Sequence, residues 1–216
     1  DGMESIMQIN LFSHFLLCAE LLPLLKASPA SRIIFQTSCA RLTPGAIIRK
    51  KLGDLNGADE KAFDAFSQYQ LSKAGLCLFM RALNQRLLDA GVDNVIACAV
   101  DPGLSATGIN AQHNLGHSMF WMPDGCISTR CLHQCFGQHA ADGALPAAVA
   151  CVGEHVQRGD WYTPKKGTTG EPVKGDPRWH LQAKFDPLNK RSLFPADAPD
   201  ALWKQMVKFT AAEWDV

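Results

Sequence analysis

Apolar positions along the chain repeat with two different spacings. Residues 3–26 and 64–90 carry apolar side chains at helical spacing, which predicts two long helices. Residues 32–37 and 95–100 form short, nearly continuous apolar runs, which are typical of strands covered on both faces. Because helix and buried strand alternate, the pattern predicts an α/β protein with a parallel sheet.

The remaining segments are less regular. Residues 38–62 are polar and rich in turn residues, and a helix is expected over 145–152 and a strand over 160–163. Residues 165–193 form a turn-rich tail, and an amphipathic helix over 202–214 closes the chain. The whole chain, residues 1–216, is expected to be one domain, with 165–216 as its tail and closing helix.

Composition and charge exclude several classes of protein. The chain has 216 residues, and its 21 basic and 21 acidic side chains give a formal net charge of zero. Without a basic block to neutralise phosphates, nucleic acid is not an expected partner. The most apolar stretch, 9–25, contains Asn10, His14, Glu20 and Pro23, so no transmembrane span is expected.

The positions of the cysteines predict the redox state of the protein's surroundings. The chain has eight cysteines, and most of them lie in apolar segments, as small buried hydrophobic residues do. A chain this long and apolar does not need a disulfide scaffold. Free thiols are therefore expected, in a reducing intracellular compartment such as the cytoplasm or an organelle.

Three side chains suggest proton chemistry. Tyr69 and Lys73 are four residues apart on a predicted helix, so they share a face, and an ammonium beside a phenol favours the phenolate. Ser38 follows the first predicted strand, where a hydroxyl can donate to a substrate oxygen. Taken singly, the pair could be a chance spacing, and Ser38 could be a turn or helix-capping residue.

The order of these residues resembles the short-chain dehydrogenase/reductase family. Asn10 lies in the first helix, Ser38 follows a strand, a Tyr-x-x-Ser-Lys run occupies 69–73, and a Pro-Gly-x-x-x-Thr run occupies 102–107. The long insert between Ser38 and Tyr69 is similar to the retinol-dehydrogenase-like branch. The resemblance covers roughly residues 1–165 and implies a Rossmann-like, doubly wound parallel sheet.

The resemblance also implies roles for four catalytic residues. Tyr69 would be the general acid/base, and Lys73 would lower its pKa. Ser38 would polarise the substrate carbonyl, and Asn10 would position Lys73 through a water.

A nicotinamide cofactor, NADP or NAD, follows from the same resemblance. Tyr69 and Lys73 would contact it, with Lys73 holding the nicotinamide ribose. Pro102, Gly103 and Thr107 would border the nicotinamide, Thr107 bonding its amide.

One feature departs from the family. The chain has no Gly-x-x-x-Gly-x-Gly phosphate-binding turn and no Asn-Asn-Ala-Gly run. It therefore resembles the C-terminal part of a dehydrogenase whose sheet lacks its first strands. Either an N-terminal half exists in a longer protein, or the protein is short and does not hold a dinucleotide in the usual way.

Two functions remain open. The first is an NAD(P)-dependent oxidoreductase for a bulky apolar alcohol or carbonyl, because the apolar cluster at 119–122 falls where the family shapes its substrate pocket. That cluster could instead support peripheral membrane association. The second is a structural or assembly subunit with a partner on the open sheet edge. The family resemblance also suggests a homodimer through residues 3–27 and 64–90.

Other polar residues receive ordinary interpretations. Cys131, His133, Cys135 and His139 lie on one short segment without a second ligand pair, which favours local packing over a zinc site, so no metal is expected. Asp101, before Pro102, is interpreted as a solvated turn residue. His14 is interpreted as a partly exposed helix histidine, with a place in the site as the alternative.

Overall fold

The computed structural model describes residues 2–41, 54–56, 63–106, 137–175 and 197–216, which form a parallel-stranded sheet between helices. In chain order the elements are α1 (Ser5–Ala27), β1 (Ser31–Gln36), a 3-10 turn (Cys39–Arg41), α2 (Ala65–Asp89), β2 (Val95–Val100), α3 (Ala140–Val152), β3 (Trp161–Pro164), β4 (Pro172–Lys174) and α4 (Ala198–Thr210).

The sheet has the order β1-β2-β3-β4. Strands β1, β2 and β3 are parallel, with Ser31 opposite Val95 and Gln36 opposite Val100, and β4 pairs antiparallel to β3. Helix α2 joins β1 to β2, and α3 lies between β2 and β3 along the chain. The α/β class with a Rossmann-like parallel sheet is confirmed. Strand β4 was not anticipated, because residues 165–193 were expected to be a turn-rich tail.

Both faces of the sheet are covered. Ile33 packs into the main core with α1, α2 and α4, whereas its neighbour Ile34 packs against a second cluster, which includes Ala150 of α3, on the other face. Successive strand residues point to opposite faces. The continuous apolar runs of the two predicted strands are therefore explained by helices on both sides.

Helix α1 contains an irregular turn and continues through a proline. The Glu4 carboxylate accepts hydrogen bonds from the amides of Ile6 and Met7 at its start, and Gln8–Phe12 forms a π-helical turn. Its length and hydropathy would allow it to cross a membrane, which is weak evidence because a core helix passes the same test. Only part of the helix is buried, and Ile9 and Leu24 are 65% and 70% exposed.

Helix α2 is the central element of the core. The Asp64 side chain caps it by accepting from the Ser67 amide at 2.8 Å, and most of its residues from Leu71 onward are buried. Gly75 permits close approach to α1, since a Cβ added there would lie 2.8 Å from Leu11 Cδ2. The face that carries Tyr69 and Lys73 is therefore fixed against α1 and the sheet.

Candidate active site

Ser38 and Tyr69 are brought together at the carboxyl end of β1. Thr37, just before the serine, donates from both its backbone amide and its hydroxyl to the Val100 carbonyl, at 2.8 and 2.7 Å. Ser38 is thereby held beside the end of β2, and its side chain hydrogen-bonds the Tyr69 phenol. Two of the four predicted catalytic side chains are in direct contact.

The environment of Tyr69 raises its pKa. Burial is the largest cause, the hydrogen bond from Ser38 acts in the opposite direction, and the nearby Cys39 and Asp101 add smaller upward effects. The sequence predicts a lowered pKa, driven by Lys73. The net direction is instead upward, because burial disfavours the charged phenolate more than the hydrogen bond with Ser38 favours it.

Lys73 lies one helical turn after the tyrosine. Its Nζ is 5.8 Å from the centroid of the Tyr69 ring and donates to the Gln36 carbonyl at the end of β1, at 3.1 Å. Burial lowers the pKa of Lys73, since desolvation disfavours the ammonium. The ammonium is thus anchored to the strand end that presents Ser38.

Asn10 of α1 contacts helix α2 through the side chain of Ser72. Its Nδ2 donates to Ser72 Oγ at 3.1 Å, and that hydroxyl donates to the Tyr69 carbonyl at 2.7 Å. The described contacts tie Asn10 to the backbone of α2. The water-mediated link from Asn10 to Lys73 stays a prediction.

His14 lies near this group. Burial and the charge of Lys73 lower its pKa, and its Nδ1 is 3.2 Å from Ser13 Oγ. The side chain is nevertheless exposed in large part. It is therefore at the margin of the candidate site.

The loop after β2 is rigidly held. Gly103 has a φ of +64°, and a Cβ there would lie 2.3 Å from the Thr168 carbonyl oxygen. Gln138 Nε2 donates to the Pro102 carbonyl at 2.8 Å, and the Leu104 amide donates to Thr168 at 2.7 Å. Pro102 and Gly103 therefore present a fixed backbone at the strand end. Thr107 lies outside the described residues.

Asp101 differs from its sequence interpretation. It is a buried side chain in an ion pair with Arg41, 2.5 Å between Oδ2 and Nη1, and the two side chains are 2% and 1% exposed. The Arg41 Nη1 also donates to the Ser38 carbonyl at 2.7 Å, and its guanidinium lies 4.6 Å from the Trp161 ring. The solvated-turn interpretation was wrong, because an arginine 60 residues earlier neutralises the carboxylate.

No group of three or more metal-ligating side chains occurs in the part of the chain that the structure describes. His139 caps α3, its Nδ1 accepting from the Ala141 amide at 3.2 Å. Cys131, His133, Cys135 and the apolar cluster at 119–122 lie outside the described residues.

The chain is similar in sequence to several characterised dehydrogenases. No family model matches the chain. Mouse polyprenol dehydrogenase is 37% identical over 137 residues, or 57% of this chain and 39% of that protein. Retinol dehydrogenase 13 and retinol dehydrogenase 12 of mouse are both 36% identical, over 56% and 53% of this chain and 34% of each relative. The chain therefore matches between about a third and two fifths of the length of these relatives.

A solved structure supports the fold. An uncharacterized protein from Mycobacterium paratuberculosis superposes with a TM-score of 0.67 and covers 99% of this chain, which spans 61% of it. The two sequences are 24% identical. This likeness establishes the architecture.

Proposed function

We propose, from its similarity to retinol and polyprenol dehydrogenases, that this protein is an NAD(P)-dependent oxidoreductase of the retinol-dehydrogenase-like branch of the short-chain dehydrogenase/reductase family. It interconverts an alcohol and a ketone or aldehyde, with Tyr69 as the general acid/base. The observation that carries the proposal is the Ser38–Tyr69 hydrogen bond with the Lys73 ammonium one turn away.

The upward pKa of Tyr69 fits the role of a proton donor in the proposed reaction. A phenol whose pKa lies above its ordinary value is protonated at neutral pH, so it can donate a proton to the oxygen of a carbonyl substrate. The Ser38 hydroxyl donates to the same oxygen and stabilises the charge that develops there. The same two groups serve the reverse reaction, in which Tyr69 accepts the proton of the alcohol.

The donor set is compatible with a nicotinamide cofactor, NAD or NADP. An ammonium has three donors, and Lys73 gives one to the Gln36 carbonyl, which leaves capacity for the hydroxyls of a ribose. The backbone of Pro102 and Gly103 would border the ring, and Thr107 would bond its amide. When bound, the nicotinamide supplies or accepts the hydride, and the protein orients it.

The substrate we propose is a bulky apolar alcohol or carbonyl compound. Two observations support this class: the relatives are named for retinol and polyprenol, and the apolar cluster at 119–122 follows the cofactor loop in sequence.

A structural or assembly subunit is the second candidate. Among the described strands, β1 pairs with β2 alone, which leaves one edge for another chain to cover. This candidate expects a stable partner and no turnover.

The test compares the two tyrosines of the chain. Tyr69→Phe removes the phenolic proton and is expected to lower the rate of reduction of an apolar aldehyde roughly 100-fold or more, because a general acid contributes about that factor. Tyr162→Phe is the matched control and is expected to retain activity. Turnover with NADPH and NADH would be followed by loss of cofactor absorbance, with circular dichroism to verify folding.

Full activity in folded Tyr69→Phe would contradict the assignment of the acid/base. No turnover with either cofactor by the unmodified protein, together with co-purification of a stoichiometric partner, would favour the subunit function.

A further inference from the structure

A buried charge pair lies beside Ser38 and links the segments that follow β1 and β2 to the first residue of β3. Arg41 follows β1 and Asp101 follows β2, and the Arg41 guanidinium stacks over Trp161 of β3. The pair holds both loops of the site by their backbones. Arg41 donates to the Ser38 carbonyl at 2.7 Å, and Asp101 Oδ1 accepts from the Gly103 amide at 2.8 Å.

Such a pair is costly unless it is complete. Two charges taken out of water lose their hydration, and removing one partner leaves an uncompensated buried charge. Arg41 and Asp101 are almost fully buried, so each depends on the other for neutralisation. Because the pair lies beside Ser38, a net charge left on the pair would act on Ser38 and Tyr69.

We propose that Arg41 and Asp101 are positioning residues of this site: their ion pair holds Ser38 against the Tyr69 phenol and keeps the floor of the site electrically neutral. This inference rests on the proposed function, in which Ser38 and Tyr69 both donate a hydrogen bond to the same substrate oxygen. It assigns no direct contact with substrate to either residue.

Several ionisable groups face Tyr69 or the pair. Cys39 from the 3-10 turn and Asp101 from the loop after β2 both raise the pKa of Tyr69, and Lys73 lies on the phenol's own helix. Cys77, on α2, has its pKa raised by burial, and both Arg41 and Asp101 influence it. His14, from α1, is influenced by Lys73. Asp101 therefore acts on Tyr69, and both members of the pair act on Cys77.

The experiment reads the ionisation of Tyr69 directly. The chain has two tyrosines, so in a Tyr162→Phe background the phenolate difference spectrum in the ultraviolet reports Tyr69 alone. This measurement needs neither cofactor nor turnover. Failure of the proposed function and failure of this inference are therefore distinguishable.

The single variants are expected to move the Tyr69 titration in opposite directions. Asp101→Asn keeps an acceptor for the Gly103 amide and leaves the Arg41 cation unneutralised, which favours the phenolate. Arg41→Met leaves the carboxylate unneutralised, which disfavours it. At one fixed pH within the transition, the two variants are expected to differ roughly tenfold in the ratio of phenolate to phenol. Asp200→Asn is the control, since it breaks the exposed Arg86–Asp200 pair and is expected to change nothing.

The double variant Arg41→Met/Asp101→Asn tests positioning without a buried net charge, and it serves also if a single variant fails to fold. With the pair intact, Ser38→Ala is expected to raise the Tyr69 midpoint, because the hydrogen bond from Ser38 favours the phenolate. In the double variant, Ser38→Ala is expected to have a smaller effect, since Ser38 is no longer held in place.

An unchanged Ser38→Ala effect in the double variant would overturn the positioning role. Folded single variants that shift the titration in the same direction, or that do not shift it, would overturn the electrostatic role.

Discussion

At the scale of single residues, the two tyrosines show how local partners decide ionisation. The Tyr69 phenol hydrogen-bonds the Ser38 side chain, which lowers the phenol pKa against the larger effect of burial. The Tyr162 hydroxyl instead donates to Asp160 Oδ2 at 3.2 Å. Burial first, and then the charge of Asp160, raise the pKa of Tyr162 to about 12. The same side chain thus meets an assisting hydroxyl in one place and an opposing carboxylate in the other.

Tyr162 predicts a loss of stability in alkali. Its folded pKa of about 12 lies above the ordinary value of 10.0, so the folded state binds the proton more tightly than the unfolded chain does. The resulting stabilisation is fully present below pH 10.0 and is lost as pH rises through about 12. Urea unfolding of the unmodified protein should show this decline, and Tyr162→Phe should decline less steeply. Parallel pH profiles for the two proteins would contradict the prediction.

Recognition of site residues from sequence depended on their separation along the chain. Tyr69 and Lys73 could be paired because a helix brings residues four apart onto one face. Arg41 and Asp101 could not be paired, because only the sheet brings the ends of β1 and β2 together. A lone aspartate before Pro-Gly carries no signal of burial, so it was interpreted as solvated.

At the scale of elements, α4 ends in an unusual way. Ala211 has a φ of +51°, in the left-handed region, and its amide donates to the Val207 carbonyl at 2.8 Å. Glycine commonly occupies this position after a helix because it has no Cβ penalty. An exposed alanine there is strained.

Ala211→Gly is therefore expected to stabilise the protein by about 1 kcal/mol, because the left-handed conformation costs an L-residue about that much. Ala201→Gly is the matched control, since Ala201 is exposed within α4, and it is expected to destabilise by about 1 kcal/mol. The midpoints of urea unfolding measure both changes. A loss of stability in Ala211→Gly equal to that in the control would refute the argument from strain.

The predicted boundaries of helices and strands were most accurate where the local sequence pattern was strongest. The strand at 95–100 was predicted with the bounds that β2 has, and β1 differs from its prediction by one residue. The closing helix was predicted at 202–214, whereas α4 spans Ala198–Thr210. Its start has a proline in the first turn, which suits a helix N-terminus. Its end has no glycine, so its true boundary was not visible in the sequence.

At the scale of the whole molecule, an aromatic cluster joins the two ends of the chain. The rings of Phe15 on α1, Phe79 on α2, Trp203 on α4 and Trp214 beyond α4 have centroids 4.6 to 5.9 Å apart. Aromatic pairs at such separations add stabilisation beyond the area they bury. The turn at Ala211 directs Trp214 into this cluster.

Trp214→Ala is expected to destabilise the protein by roughly 2–3 kcal/mol, less than loss of a fully buried ring would, because Trp214 is partly exposed. Val216→Ala, two residues later and exposed, is the control and should change stability little. Thermal unfolding followed by circular dichroism would measure both. Equal melting temperatures for the two variants would show that the C-terminal segment is not part of the cooperative unit.

The alternation of helices and buried strands was sufficient to predict the class of the fold, because each predicted strand needed a helix on either side. The pairing of β4 with β3 was missed, since a three-residue strand in a turn-rich segment carries too little pattern. The aromatic cluster was also not predicted, because its rings come from parts of the chain that are far apart in sequence.

The backbone hydrogen bonds on either side of residues 107–136 have a consequence for exchanging that segment. The Gln138 amide donates to the Leu104 carbonyl, and its own carbonyl accepts from the Ala106 amide, at 2.8 and 2.9 Å. The chain therefore leaves and re-enters the scaffold at one clamped point. Sequence exchanged between those anchors is expected to leave the contact between Ser38 and Tyr69 in register, so the two anchors are suitable end points for a graft.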